Sequence, residues 1–237
     1  MTQLFFSDYE DELPLAPRPL ALVGAGGLGR EIALLVTQIN EAHGPTWDLR
    51  GFYDDHAPAT PTVGGLPSLG TVADLQAVAS PLAVSVAVGS SASRAAVVAR
   101  LTSPQLSFPA LVHPQVALRP AQRLVLGEGC IIQRGCILTC DITLGRFVLL
   151  NLGCTLGHDS VLEDFCSLMP HANVGGAAHL AAGVYLGTNA TVIHQVRVGA
   201  QTTVGAGAVV VRDLPAGCTA VGVPAKAIAE LKATSDE

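Results

Sequence analysis

At 237 residues the chain is long enough for one large domain or two modest domains, each with its own core. Its apolar content is high at 49%, whereas aromatic residues make up 4% and charged residues 14%, a mix that suits a narrow interior filled with Leu, Val, Ile and Ala. The formal net charge of -6 argues against a general nucleic-acid binder, because a surface that follows phosphates needs a basic stripe.

Residues 1–17 are predicted to form a loose arm, because they show no hydrophobic period and include the acidic side chains Asp8, Glu10 and Asp11. A secretory signal peptide would be basic at this position, and the chain has no run of about 18 uncharged apolar residues that could cross a membrane. We therefore expect a cytoplasmic protein that does not insert into membranes.

Residues 18–108 are predicted to form a Rossmann-like α/β domain. An apolar run at 20–23 is followed by the glycine-rich segment 24–29 and by helical spacing over 30–36. Strand, glycine turn and helix in this order favour a nucleotide ligand, because the glycines let the backbone approach it and the helix N-terminus offers N–H groups to a phosphate. The alternative is a glycine turn that only packs the helix on the strand.

The rest of this domain supports the same pocket. A strand at 49–53 ends at Asp54 and Asp55, where a doubly wound sheet places groups for ribose or base hydroxyls. A helix at 71–78, a strand at 83–88 and a helix at 93–101 follow, and Gly89 ends the strand at the same edge. A dinucleotide fold needs two halves, so these residues favour a nucleotide or nucleotide-sugar over NAD.

A strict six-residue repeat occupies much of the second half of the chain. Every sixth position from Leu126 to Val210 is Leu, Ile or Val, and from Leu126 to Val204 the fourth residue after each is small or β-branched. Neither a helix nor an open strand has this period, which is typical of a parallel β-helix with about 18 residues per coil. We place this domain at 109–215, and a cap and tail at 216–237 with a short closing helix at 227–232.

The inward positions of the repeat account for most of the cysteines. Four of the six occupy the small inward position, which predicts reduced core residues rather than disulfides: Cys130, Cys136, Cys154 and Cys166.

The coil period also separates the candidate polar residues. His158 and His194 lie on the same corner two coils apart, about 10 Å if coils are spaced like adjacent strands. They cannot share one zinc ion within a chain, so a metal site of the kind found in β-helical carbonic anhydrases needs histidines from different chains. We expect no metal. His158 is instead followed by Asp159 and preceded by Asn151, an arrangement that suits a general base.

The chain resembles the PglD/NeuD-type sugar acyltransferases. The resemblance runs from Leu20 to Ile228 and is carried by these motifs: Gly24-Ala25-Gly26-Gly27, Gly51-Phe52-Tyr53-Asp54-Asp55, Ala87-Val88-Gly89, Leu111-Val112-His113-Pro114, Asn151 with Gly157-His158-Asp159, and Gly222-Val223-Pro224-Ala225-Lys226. It implies that the β-helix is left-handed, and that a homotrimer binds acetyl-CoA in grooves between subunits. It also implies that the N-terminal domain holds a nucleotide-sugar.

The resemblance also implies roles for individual residues. His158 matches the general base, Asp159 the acid that modulates it, and Asn151 a polar residue of the same pocket. Nucleotide-sugar contacts match Gly26, Gly27, Leu28, Asp54 and Asp55, with Gly89 placed beside them. Acetyl-CoA contacts match Ser167, Thr188 and Ala206, and Gly176 belongs to a glycine corner expected at the thioester. Relatives often have histidine at Ser167 and a small residue at His171, which is a departure in this chain.

The predicted function is acetyl transfer from acetyl-CoA to the 4-amino group of a nucleotide-linked sugar, by direct attack without an acyl-enzyme. Two alternatives remain open at this point. One is O-acetylation of a sugar hydroxyl, as in the sialic acid type. The other is a trimer that binds nucleotide-sugars without catalysis, because a fold does not fix a function.

Overall fold

The computed structural model describes residues 16–56 and 61–228. It has two parts, an α/β domain and a parallel β-helix, and the change from one to the other falls between Ser107 and Leu111. Both predicted architectures are therefore confirmed. Of the arm predicted at 1–17, residues 1–15 lie outside the described residues. No helix within the described ranges has the length and apolarity that a membrane crossing requires.

The N-terminal domain is one six-stranded sheet with helices packed on it. Its elements are β1 (Arg18–Val23), α1 (Gly27–His43), β2 (Trp47–Tyr53), β3 (Thr62–Val63), β4 (Leu66–Gly70), α2 (Val72–Leu75), β5 (Leu82–Val86), α3 (Ser91–Arg100) and β6 (Leu106–Ser107). The strand order is β3-β4-β2-β1-β5-β6, and the pairs are parallel except β3 with β4. The central strand β1 is buried from Ala21 to Val23.

Several predicted bounds were wrong in detail. Helix α1 continues to His43, well beyond the predicted end, because Ile39 still packs in the core. Helix α2 has four residues rather than the predicted eight positions, and Thr71 forms its capping box with Asp74. Helix α3 begins at Ser91, because the Ser90 side chain caps it by accepting a hydrogen bond from the Ser93 N–H.

The glycine turn has the predicted form, and two of its glycines show why. Gly24 has a φ of +103°, in the region that disfavours side chains. A Cβ at Gly29 would lie 2.0 Å from the Gly24 carbonyl oxygen, so only glycine lets α1 approach β1 this closely. The turn therefore directs the start of α1 at the carboxyl edge of the sheet.

The β-helix consists of short strands. In chain order they are β7 (Leu111–Val112), β8 (Val125–Leu126), β9 (Ile131–Ile132), β10 (Ile137–Leu138), β11 (Thr143–Leu144), β12 (Leu149–Leu150), β13 (Thr155–Leu156), β14 (Val161–Leu162), β15 (Ser167–Leu168), β16 (Asn173–Val174), β17 (His179–Leu180), β18 (Tyr185–Leu186), β19 (Thr191–Val192), β20 (Arg197–Val198), β21 (Thr203–Val204), β22 (Val209–Val210), β23 (Thr219–Val221) and β24 (Lys226–Ile228). A 3₁₀ turn at Pro120–Gln122 precedes β8.

These strands form the three faces of a triangular prism. The first face, called the docking face because the N-terminal domain packs on it, contains β7, β9, β12, β15, β18 and β21 and is continued by β23 and β24. The second face contains β10, β13, β16, β19 and β22, and the third face contains β8, β11, β14, β17 and β20. On the second face Ile137 pairs with Thr155 and Thr155 with Asn173, which confirms the 18-residue coil. The aliphatic ladder is buried from Ile132 to Val210, and all four inward cysteines are buried and free, as predicted.

The chain turns at three edges, each named here after one residue. The His158 edge joins the second and third faces, the Phe147 edge joins the third and docking faces, and the Thr188 edge joins the docking and second faces. Many edge residues, including Phe147 and Asp159, have left-handed φ values near 55°. Such a backbone turns sharply between two extended strands.

The N-terminal domain packs on the docking face. The outward side chains of Leu111, Ile131 and Leu149 join the core cluster of Leu20 and Ile32. A second set of contacts lies at the Phe147 edge and comprises Phe147 and Phe165 with Val72, Leu75 and Leu101. The two rings stack at 5.5 Å between centroids. The domains thus share two apolar contact regions.

The C-terminal end of the β-helix is closed by strands rather than a helix. Residues Thr219–Val221 pair antiparallel with Lys226–Ile228, and 222–225 form the turn between them. The predicted closing helix is therefore wrong at 227–228, and its remainder at 229–232 lies outside the described residues. Backbone hydrogen bonds to the adjacent coil explain the difference, because Thr219 pairs with Thr203.

Candidate active site

His158 and Asp159 form a hydrogen-bonded pair on the His158 edge. Their Nδ1 and Oδ2 atoms lie 2.7 Å apart, and both side chains are exposed. Adjacent side chains on a regular strand diverge, but Asp159 has a φ of 58° at the turn, which brings the two together. Because an ionised carboxylate only accepts hydrogen bonds, Nδ1 carries the proton and the Nε2 lone pair is free to accept another.

Gly176 lies one coil further along the same edge, directly against this ring. A Cβ at Gly176 would be 2.6 Å from His158 Nε2, so the absence of a side chain makes room for the imidazole. The Gly176 carbonyl accepts the Gln195 N–H at 2.9 Å. Its own N–H has no hydrogen-bond partner among residues 16–56 and 61–228.

The two preceding coils bring three further residues to this edge, and their sequence pattern alone did not point to them. Cys140 occupies the position one coil before His158, and its carbonyl accepts the Asp159 N–H at 3.1 Å. Arg123 makes a bidentate contact with Asp141, which lowers the pKa of that carboxyl. Partial burial and then Asp141 raise the pKa of the Cys140 thiol. A step of one coil back from His158 would have revealed Cys140.

Asn151 does not lie beside His158 in the same chain. It is buried on the Thr188 edge, and its Oδ1 accepts the Leu152 N–H at 2.7 Å. Strand β13 of the second face separates the two residues. Within one chain, then, the geometry does not unite Asn151 with the His158–Asp159 pair.

The expected coenzyme contact of Ser167 is contradicted by its surroundings. Ser167 has no exposed surface, and its Oγ accepts hydrogen bonds from Arg94 at 2.8 Å and Ser91 at 2.9 Å. Both partners belong to α3 of the N-terminal domain, which covers the docking face at this point. In this chain the Ser167 side chain therefore takes part in a contact between the two domains.

Thr188 and Ala206 are exposed and adjacent on the Thr188 edge. The Thr188 carbonyl accepts the Gly207 N–H at 2.8 Å, so the two turns stack directly. Gly176 and His158 lie at the opposite border of the second face. Of the residues expected to contact acetyl-CoA, Gly176 therefore lies on the His158 edge, whereas Thr188 and Ala206 lie on the Thr188 edge.

The glycine turn leaves an open surface at the carboxyl edge of the N-terminal sheet. A Cβ at Gly26 or Gly27 would meet no atom within 4 Å, whereas Gly89 lies near the Leu28 side chain. Asp54 supports this turn, because its Oδ2 accepts the Ala25 N–H at 2.8 Å. These residues come together as the sequence predicted, and we call them the glycine pocket: Gly26, Gly27, Leu28, Asp54 and Gly89.

Asp55 has a different environment. Its Oδ2 lies 2.6 Å from Arg100 Nη1, and its Oδ1 accepts the Val72 N–H at 3.0 Å. The Arg100 hydrogen bond, followed by that of Val72, lowers the pKa of the Asp55 carboxyl. Since both oxygens already join α2 to α3, the expected nucleotide contact of Asp55 is not supported.

The prism shape separates the glycine pocket from His158 within one chain. The N-terminal domain covers the docking face, and the His158 edge is the one edge that does not border that face. No cluster of three or more His, Cys, Asp or Glu side chains suited to a metal ion occurs in the described ranges.

Comparison with known proteins agrees with the two-part architecture. The PglD N-terminal domain family matches residues 19–101. The structure is similar to the acetyltransferase domain of PglB from Neisseria gonorrhoeae FA1090, with 31% identity, a TM-score of 0.81, and coverage of 89% of this chain and 100% of that one. The chain belongs to the PglD-type sugar acetyltransferases.

Two further solved structures give similar values. PerB from Caulobacter crescentus, whose structure contains CoA and GDP-perosamine, is 31% identical with a TM-score of 0.75, covering 92% of this chain and 100% of that one. WeeI from Acinetobacter baumannii AYE is 29% identical with a TM-score of 0.80, covering 89% and 100%. The PglB domain has also been solved in complex with acetyl-coenzyme A.

Curated relatives outside the PglD-type family share a shorter region. A serine acetyltransferase from Synechococcus elongatus is 33% identical over 76 residues, which is 29% of this chain and 31% of the relative. A tetrahydropyridine-dicarboxylate N-acetyltransferase from Staphylococcus aureus is 43% identical over 53 residues, 22% of each chain. The chain thus matches less than a third of the length of these relatives.

Proposed function

We propose that this chain is an acetyl-CoA-dependent N-acetyltransferase acting on the 4-amino group of a nucleotide-linked sugar. The observation that carries the proposal is the His158–Asp159 pair, in which Asp159 contacts Nδ1 and leaves Nε2 at an exposed edge. The family relationship supports the reaction type, and the GDP-perosamine complex of PerB supports the class of acceptor.

The proposed site forms between neighbouring copies of the chain. The His158 edge carries the base and Gly176, whereas the Thr188 edge carries Asn151, Thr188 and Ala206 and borders the face on which the glycine pocket is mounted. A groove between two copies would unite the two sets, which one prism keeps apart. When identical copies form a closed ring, the same groove occurs between each pair of neighbours, so a homotrimer would contain three such grooves.

In the proposed reaction the sugar amine attacks the thioester carbonyl of acetyl-CoA while His158 Nε2 takes a proton from the amine. Asp159 keeps the proton on Nδ1 and stabilises the imidazolium that forms. We propose that the Gly176 N–H, which has no partner in the described residues, donates to the developing oxyanion. The intermediate then collapses, the carbon–sulfur bond breaks, and the CoA sulfur leaves with the proton held by His158. The products are an N-acetylated sugar and CoA.

The glycine pocket would hold the nucleotide. Gly26 and Gly27 leave room for a phosphate at the start of α1, and the Asp54 carboxylate fixes the turn through Ala25. Asp54 therefore shapes the pocket from within, in addition to any contact with a ribose hydroxyl.

The direct test is thiol release from acetyl-CoA in the presence of UDP-, GDP-, dTDP- and CMP-linked amino sugars. We expect stoichiometric CoA and an acetamide product with at least one acceptor. Acetylation at a hydroxyl, shown by alkaline lability of the product, would replace the N-acetyl proposal with the O-acetyl alternative. Binding of a sugar nucleotide without thiol release on every acceptor would indicate a non-catalytic binding protein.

A further inference from the structure

Arg94 is a buried arginine that connects the two domains. It lies on α3, five residues after Gly89, and 1% of its surface is exposed. None of the ion pairs found among residues 16–56 and 61–228 involves Arg94. A buried charge without an opposite charge is costly unless all of its donors are hydrogen-bonded.

The guanidinium meets this condition with acceptors from both domains. Within its own domain, Nη1 donates to the Val88 carbonyl at 2.7 Å and the Gly89 carbonyl at 3.3 Å. Toward the β-helix, Nε donates to the Phe147 carbonyl at 2.9 Å, and Nη2 is within reach of Phe165 O at 2.9 Å. Nη2 also reaches Cys166 O at 3.1 Å and Ser167 Oγ at 2.8 Å.

The planar shape of arginine explains why this residue type suits the position. Its N–H groups point in fixed directions, so one side of the planar group holds the turn that follows β5 and the other side holds two successive coils. Burial lowers the pKa of Arg94 to about 10, which leaves it protonated at neutral pH. The Ser91 hydroxyl adds a parallel contact by donating to Ser167 Oγ at 2.9 Å.

We propose that Arg94 is a positioning residue that fixes the Gly89 rim of the glycine pocket on the β-helix, and thereby sets where the acceptor amine meets His158 of a neighbouring copy. Acetyl-CoA, by contrast, would contact β-helix edges that Arg94 does not touch. This inference rests on the proposed function for its catalytic consequence. The rigid connection between Gly89 and the Phe147 edge stands on the contacts alone.

The catalytic consequence follows from the sensitivity of acyl transfer to geometry. A displacement of about 1 Å in a bound reactant can reduce the rate on the order of 100-fold. If Arg94 is replaced, the two domains still share their apolar contacts. The hydrogen bonds through which Arg94 holds Gly89 in a fixed position relative to Phe147 and Phe165 are lost. The defect should therefore concern the sugar nucleotide rather than acetyl-CoA.

Arg94→Lys keeps the charge but cannot bridge Val88 and Phe165 at once, because its donors radiate from one atom. We expect kcat/KM for the sugar nucleotide to fall about 10- to 100-fold, with the KM for acetyl-CoA unchanged within about two-fold. Arg50→Lys is the matched control, because Arg50 is exposed and its ion pair with Asp48 lies within the single strand β2. Wild-type kinetics in Arg94→Lys, or equal losses for both substrates, would overturn the proposal.

Two further measurements keep the test decisive. If Arg94→Lys does not fold, Ser167→Ala is the second variant, because it removes one neutral acceptor without leaving an unpaired charge. We expect it to lower kcat/KM for the sugar nucleotide as well, by a smaller factor, with the KM for acetyl-CoA unchanged. Amide hydrogen exchange tests the connection without turnover. Residues 87–91 should exchange faster in the variant, while amides of the aliphatic ladder keep their protection. Unchanged exchange at 87–91 would refute the connection, whereas absence of transfer by the wild-type protein would refute the proposed function.

Discussion

A Cβ at Gly176 would lie 2.6 Å from Nε2 of His158, so the imidazole occupies space that any other residue would fill. We expect Gly176→Ala to rotate the ring away from its position and to lower kcat by about 10-fold or more through misplacement of the base. Steady-state kinetics on the folded variant checks this. Ala177→Gly is the control, because this exposed neighbour already has a left-handed φ that glycine accepts. An active Gly176→Ala enzyme with the wild-type kcat would contradict the site geometry.

His158→Ala should remove general-base catalysis. We expect kcat to fall about 10²- to 10⁴-fold while oligomeric state and coenzyme binding persist, because the side chain is exposed and supports no core contact. Asp159→Asn should cost less, since its amide oxygen can still accept from Nδ1 but carries no charge. His194→Ala, two coils along the same edge, is the control expected to retain activity. Full turnover by His158→Ala would exclude this residue as the base.

The two half-buried cysteines should differ from the buried ones in reactivity. Burial raises the pKa of Cys130 and of Cys166 to about 12, so both stay protonated and shielded. Cys140 is accessible, and its raised pKa means that labelling by a maleimide becomes faster as pH increases. Because Cys140 lies one coil from His158, we expect a bulky label to inhibit the wild-type protein.

The control for this labelling is Cys140→Ser, which should remain active after the same treatment even though Cys218 is still labelled. Mass spectrometry of the modified peptides identifies the site. Loss of activity in labelled Cys140→Ser would show that another cysteine controls access to the His158 edge.

Asp55 should contribute to stability rather than to nucleotide binding. Its pKa is lowered in the folded state, so its contribution is present above the ordinary aspartate pKa and is lost as pH falls through the lower folded value. We expect Asp55→Asn to reduce Tm by about a few degrees at pH 7, because it weakens one contact between α2 and α3. The reduction in Tm should be smaller in acid. Thermal unfolding from pH 7 to pH 3 measures this difference.

The matched variant is Asp54→Asn, which weakens the support of the glycine turn at Ala25. We expect it to raise the KM for the sugar nucleotide more than Asp55→Asn does. A large increase in KM for Asp55→Asn with unchanged Tm would restore Asp55 to the nucleotide contacts.

Much of the scaffold could be predicted from periodicity. The ladder from Ile132 to Val210 repeats because each coil pairs with the coil 18 residues away, so local sequence determines which residues face inward and which stack. The same register placed Cys154 inside and His158 on an edge. The glycine turn was also predictable, because its strand, glycines and helix are consecutive in the chain.

The roles of Ser167, Asp55 and Asn151 could not be obtained in this way. The roles of Ser167 and Asp55 depend on residues from distant parts of the chain that pack against them. The role of Asn151 depends on which edge of the prism its turn occupies. Ser167 has the outward register of a ligand contact, but α3 covers it. Asp55 follows a strand as a ribose ligand would, yet Arg100 and Val72 occupy its oxygens.

The sequence by itself determined the two architectures, the coil period and the His158–Asp159 pair. Each of these depends on residues that are adjacent in the chain or separated by a fixed repeat length. Only the tertiary structure decided which face the N-terminal domain covers, since that depends on a shared apolar cluster of distant residues that includes Ile32 and Ile131. Docking on that face buries Arg94 and Ser167 and leaves His158 on the opposite edge. For that reason the proposed site requires a second copy of the chain.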